Sequence, residues 1–229
     1  FFALFSILFL SRAIFYFRDF QKLFDHPVQS LFIGAIPMGF ATIINGFFII
    51  WPLRPESLAV ATAFWWMDVI LALTSVLLVP YFMFTSQGHS MERMTAAWLL
   101  PIVPPEVTAA SGGLVAPHLA SAAAENVIYM SYVLWAISVL LAMGILAILL
   151  LRLTLHKLPH QDMAVSSWLT LGPLGTGAMA MITLGNADFA SFHGVLAEMA
   201  HFAQMAGLMI ALLLWGFGLW WMCMAIFFT

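Results

Sequence analysis

Charge is what this sequence lacks. Asp, Glu, Lys and Arg make up 7% of its 229 residues, against about a quarter in a soluble domain, whose water-facing surface needs them. With 64% apolar residues, the outside of the molecule is expected to face lipid. Seven Lys and Arg against ten Asp and Glu give a net charge of −3. No basic run exists, which argues against nucleic acid as a partner. Cys223 is the single cysteine, so no intramolecular disulfide can form. His-Glu-x-x-His, Cys-x-x-Cys and Ser-centred hydrolase patterns are missing, so neither an enzyme nor a bound cofactor or metal is called for. There is no soluble segment, low-complexity tract or long linker, and residues 1–229 read as one transmembrane domain.

What is present is a series of long apolar runs. Crossing the hydrocarbon core takes roughly 20 mostly apolar residues. Seven stretches qualify: about 1–17, 30–51, 58–84, 94–117, 126–151, 164–184 and 200–227. Their continuity excludes the alternating ten-residue segments of a membrane barrel. Apolar runs stand at both ends of the sequence, so further helices are expected before and after it. Arg12, Arg18, Lys22, Arg93, Arg152 and Lys157 fall in or beside the first, third and fifth connections, while the other three hold only Arg54. That asymmetry predicts the first group on the cytoplasmic side of the plasma (cytoplasmic) membrane. Trp51, Trp168, Trp220 and Trp221, at span ends, are expected as interface anchors.

Glycine and proline are shared unevenly among the spans. The second, fourth and sixth hold Gly34, Pro37, Gly39 and Gly46; Pro101, Pro104, Pro105, Gly112 and Gly113; and Gly172, Pro173, Gly175 and Gly177. The other four hold Pro80, Gly144, Gly207, Gly216 and Gly218 between them. Proline kinks a helix and frees a carbonyl, which in a bilayer must be satisfied by protein or a hydrated cavity. Kinked helices therefore belong inside the bundle and smooth ones outside. Free N–H groups at such breaks would turn partial positive charge towards an anionic solute, with no Lys or Arg needed in the spans.

Pro37, Gly39, Thr42, Pro104, Glu106, Thr108, Ser111, Pro173, Gly175 and Thr176 are the candidate lining of that path. The run from Thr108 to Gly113 is its best single stretch. Each hydroxyl could instead bond its own helix backbone. A carboxyl at membrane depth is a functional candidate by default. Glu106, after two prolines, is read either as a proton-coupling group or as a cap for the backbone they free. Asp68, on a smooth helix, is read as a structural hydrogen-bond partner. A haem-binding redox subunit is the rival reading, but the seven histidines fall in connections or at span ends, not in facing central pairs.

Three motifs then carry a resemblance. His26-Pro27-Val28-Gln29-Ser30-Leu31-Phe32 with Gly34-Ala35-Ile36-Pro37-Met38-Gly39-Phe40, Trp98-Leu99-Leu100-Pro101-Ile102-Val103-Pro104 with Ala109-Ala110-Ser111-Gly112-Gly113, and Gly172-Pro173-Leu174-Gly175-Thr176-Gly177 resemble the third, fifth and seventh helices of the tellurite-resistance/dicarboxylate transporter family. That family includes malic acid transporters, sulfite efflux pumps and slow-type anion channels. The resemblance implies an all-α integral membrane fold, with seven transmembrane helices here out of a ten-helix bundle. Five inner kinked helices would surround a central pore, in a homotrimer. It implies transport of small anions across the lipid bilayer. C4-dicarboxylates such as malate are the first expectation, with proton coupling, and sulfite or inorganic anions the alternative.

Overall fold

The computed structural model describes residues 2–50, 54–158, 164–191 and 196–229. Among them every regular element is helical. The helices are α1 (Phe2–Phe15), α2 (Phe17–Asp25), α3 (Ala35–Ile49), α4 (Pro55–Thr85), α5 (Pro104–Val115), α6 (Ser121–His156), α7 (Leu171–Ser191) and α8 (Leu196–Phe228).

The spans rich in glycine and proline differ in kind from the smooth ones. Each is a composite: a tight 3-10 segment followed by an α-helix. Gln29–Gly34 leads into α3, Ala96–Leu99 precedes α5, and Val165–Thr170 leads into α7. The smooth stretches instead form single α-helices of 31, 36 and 33 residues, α4, α6 and α8. At 1.5 Å per residue, α6 is about 54 Å long, well beyond a hydrocarbon core of about 30 Å. Pro80 lies within α4 without ending it.

Four helical stretches among the described residues are long and apolar enough to cross a membrane: Gln29–Ile49, Pro55–Thr85, Ala122–His156 and Ala200–Phe228. The protein is thus built as a multi-pass helical membrane protein. The other three expected spans fall short of this standard. The α1 helix has 14 residues, α5 has 12 because the prolines at 101, 104 and 105 divide its stretch, and α7 is diluted by Gly, Thr and Asn.

Burial follows this division at α5 but not at α3, since the Gln29–Ile49 stretch is no more buried than the smooth Pro55–Thr85 and Ala122–His156 helices. Every residue of α5 except Val107 and Leu114 is buried, and the helix packs against α3, α4, α6 and α7. The long helices keep broad apolar faces outward, as Leu140 at 72% and Leu213 at 72% exposure show. Such faces cost nothing in lipid, which is as apolar as leucine. One core gathers Val76, Leu99, Val139, Leu146, Leu174 and Trp221. A second gathers Phe40, Ile44, Trp65, Val115, Ile128 and Leu134. Trp221, expected at the interface, is therefore a core residue, fully buried beside Phe217 and Trp220. Trp168 and Trp220 are partly exposed, and Trp51 lies outside the described residues.

Close backbone approach fixes two of the contacts. A Cβ on Gly34 would stand 2.0 Å from the Leu100 carbonyl oxygen, so only glycine lets the start of α3 reach the turn before α5. Gly207 of α8 likewise faces the Met181 carbonyl of α7, where a Cβ would come within 2.6 Å. At one end of the bundle the buried Arg152 ties two connections together. Its Nε and Nη2 donate to Glu92 O at 3.3 and 2.8 Å, and Nη1 donates to Lys157 O at 2.7 Å.

Candidate functional site

The chemistry concentrates on the broken stretch around α5. Pro105 has no N–H, so the Pro101 carbonyl loses its helical donor. Ser75 Oγ of α4 replaces it at 3.2 Å. Next in line, the Glu106 N–H bonds Val103 O at 3.1 Å, which leaves Ile102 O to Ser138 Oγ of α6, at 2.8 Å. Two of the carbonyls released by the break are thus taken up by hydroxyls from the flanking smooth helices. This satisfies the requirement that backbone polarity at membrane depth find protein partners.

Two fully buried carboxyls flank the same helix. Glu106, in the first turn of α5, accepts a hydrogen bond on Oε1 from Thr176 Oγ1 of α7 at 2.7 Å. Among the described residues its Oε2 has no hydrogen-bond partner, and a Cβ at Gly177 would come within 3.4 Å of it. Asp68 of α4 accepts on Oδ2 from Thr108 Oγ1 of α5 at 2.7 Å, and its Oδ1 is unpartnered. Trp65 Nε1 donates to Thr108 O at 2.9 Å, and Trp135 Nε1 to Gly177 O at 3.0 Å. Glu106 and Asp68 therefore bind α5 to different neighbours, α7 and α4. Sequence reasoning had singled out both acids and both threonines. It could not pair them, because the partners lie 70 and 40 positions apart.

The remaining candidates divide by exposure. Pro37, Pro104 and Pro173 are buried in protein, and so are Thr108, Ser111 and the rest of the run to Gly113. That run packs against neighbouring helices, with Ser111 Oγ bonded to Val107 O of its own helix at 3.2 Å. Thr42 is exposed and also bonds its own helix, at Met38 O, 3.0 Å away. Gly39 on α3 and Gly175 on α7 have open space where a side chain would be, as do Gly46 and Gly172. Both α3 and α7 therefore carry uncovered small-residue positions, with α5 packed against each.

The expected free N–H groups at the breaks need correction. The α5 helix opens with two prolines, which have none, and the Glu106 N–H is bonded to Val103 O. At α3 the Ala35 N–H bonds Ile33 O and Phe32 O, and at α7 the Leu171 N–H bonds Leu169 O and Trp168 O. The preceding 3-10 segments take up these donors. Of the histidines weighed as haem ligands, His160 and His193 lie outside the described residues. His26 Nδ1 accepts the Val28 and Gln29 N–H groups, His89 Nε2 meets Gln87 Oε1 at 2.8 Å, and His118 Nδ1 lies 3.2 Å from Leu114 O.

Composite 3-10/α helices around a buried, proline-broken core, jacketed by long apolar helices, define a polytopic helical membrane protein. Comparison with known proteins places it more closely: residues 1–229 match the family described as voltage-dependent anion channel (SLAC1), and the chain belongs to that family. It is 40% identical over 231 residues to the sulfite efflux pump SSU1 of Arthroderma benhamiae, covering 98% of this chain and 62% of that protein. It is 41% identical over 215 residues to the SSU1 pump of Arthroderma otae, covering 91% of this chain and 57% of that protein. The malic acid transport protein of Schizosaccharomyces pombe is 20% identical over 236 residues, covering 98% of this chain and 52% of that protein. The chain thus spans about three fifths of the length of the sulfite pumps it matches.

Proposed function

We propose that the full-length protein moves small oxyanions across a membrane, with sulfite as the principal substrate. The observation that carries this reading is the likeness to sulfite efflux pumps, which extends over nearly the whole chain at twice the identity seen with the malic acid transport protein. Sulfite accordingly takes the place of the malate expected from the sequence. The path runs along the uncovered faces of α3 and α7, past Gly39, Thr42 and Gly175, with the buried Pro37 and Pro173 shaping those helices from behind. Pro104, Thr108 and Ser111 on α5 hold those faces apart from behind. Thr176 presents Glu106 towards the path, and Glu106 takes up and releases a proton as the anion passes. In this reading all seven apolar stretches cross the plasma membrane, within a ten-helix subunit of a homotrimer.

The test is flux. The full-length protein, reconstituted in liposomes, is offered sulfite, malate and chloride under a set voltage and pH gradient. Sulfite uptake well above the other two is expected. Malate transport without sulfite transport would restore the dicarboxylate reading, and no anion flux at all would overturn the proposal.

A further inference from the structure

The α1 and α2 helices meet at Tyr16, whose backbone leaves the helical region (φ −126°, ψ 48°). They enclose an open cleft of about 720 Å³. The short α2 helix is amphipathic. Phe20 on its apolar side meets both Phe9 of α1 and Phe24 edge-on, and Phe24 lies tilted against Phe82 of α4. That anchorage turns the other side of α2 into the cleft, where Lys22 and His26 converge with Arg12 from the last turn of α1. Asp19 is the one acid on the lining and is already engaged by Lys22, Nζ to Oδ1 at 2.7 Å. The hydrogen bond and charge of Lys22 hold the Asp19 carboxyl below the usual carboxylate range. His26 uses Nδ1 to accept two backbone N–H groups, which leaves its Nε2 as a donor. Among the described residues no side-chain hydrogen bond engages Arg12, whose charge also acts on Asp19, or His26 Nε2, so both can donate to an anion.

The other wall of the cleft is apolar. Leu8, one turn before Arg12, lines it, and the exposed face of α1 continues through Leu4 and Phe5 at 55% and 64% exposure. Basic side chains where an apolar helix turns into an amphipathic one sit at headgroup depth. A free inorganic anion would use the cations and leave the leucine wall idle. We infer that this cleft is a binding site for an anionic phospholipid. Its phosphate lies between Arg12, Lys22 and His26, its headgroup hydroxyls meet Ser11 and Tyr16, and one acyl chain lies over Leu8 and Leu4. The inference does not depend on which anion the protein transports.

The experiment extracts full-length protein from mixed phosphatidylcholine and phosphatidylglycerol vesicles and weighs the retained lipid by native mass spectrometry. Preferential retention of phosphatidylglycerol is expected. Arg12→Gln and Lys22→Gln should each weaken it by about five-fold, the share of one basic residue near an anionic surface. Lys22 has a side chain 73% exposed, so its replacement leaves the fold intact. Lys22→Arg should retain the lipid, and so should Arg18→Gln, since Arg18 does not line the cleft. Equal retention of both lipids, or undiminished retention by Lys22→Gln, would overturn the inference. So would displacement of all bound phosphatidylglycerol by sulfite, which would mark a site for free oxyanions.

Discussion

Three buried serines allow a stringent test of how the break before α5 is stabilised. Ser75, Ser138 and Ser131 are all at most 2% exposed. They differ in what their hydroxyls bond. Ser75 and Ser138 serve Pro101 O and Ile102 O, carbonyls released by the break. Ser131 bonds Val127 O, four residues back in its own helix, at 2.7 Å. Orphaning a buried carbonyl costs about 1–3 kcal/mol in soluble proteins. Interhelical hydrogen bonds in membrane proteins average about 0.6 kcal/mol, with a maximum of about 1.7. Ser75→Ala and Ser138→Ala are therefore each expected to cost about 1 kcal/mol, and the double variant more than either. Ser131→Ala should stay within about 0.5 kcal/mol, because its acceptor keeps a helical donor. Reversible unfolding of the full-length protein in mixed micelles, followed by tryptophan fluorescence, measures all four variants. If Ser131→Ala costs as much as Ser138→Ala, rescue of the released carbonyls is not what these hydroxyls contribute.

Further outcomes follow from the same geometry. Gly34→Ala drives a methyl into the Leu100 carbonyl and should cost at least about 1–3 kcal/mol, read as lost thermal stability in detergent. Gly39→Ala meets open space, so stability should hold while sulfite flux falls; unchanged flux would remove Gly39 from the path. Glu106→Gln keeps an acceptor for Thr176 but cannot release a proton, so flux should persist with its pH dependence flattened. A profile still as steep as in the parent would exclude the proton role. His89, in the connection after α4, has its pKa lowered by burial and by the charge of Arg93. As pH falls through about 6.5, the ordinary histidine value, the unfolded chain binds this proton before the folded one does, so stability declines towards acid. His89→Asn should remove that part of the slope between about pH 7 and pH 5, measured by thermal denaturation.

The division between broken and continuous helices was legible in the sequence because it rests on residue type alone. Pro37, the Pro101–Pro105 cluster and Pro173 mark the three composite stretches, and their absence leaves α6 and α8 unbroken. The 3-10 segments were not legible. Whether a chain tightens or kinks at a proline depends on what packs against it, as Gly34 against Leu100 shows. The candidate acids were visible as carboxyls without nearby cations, but their partners were not, since contact across 70 positions leaves no periodic trace. The Thr108–Gly113 run shows why residue type alone does not assign a role. Small and hydroxyl residues read equally well as a wet lining or as a surface shaped for close helix packing, and here every one of them is packed.

Arg152 bears on how such a protein could move. The planar guanidinium of Arg152 clamps Glu92 O and Lys157 O with three donors at once. One of its anchors leads into the Ala96–Leu99 segment, and the other is the residue at which α6 ends. Swinging the Glu92 side alone would strip two charge-assisted hydrogen bonds from a buried cation, and swinging the Lys157 side alone would strip one, so only a joint movement keeps all three.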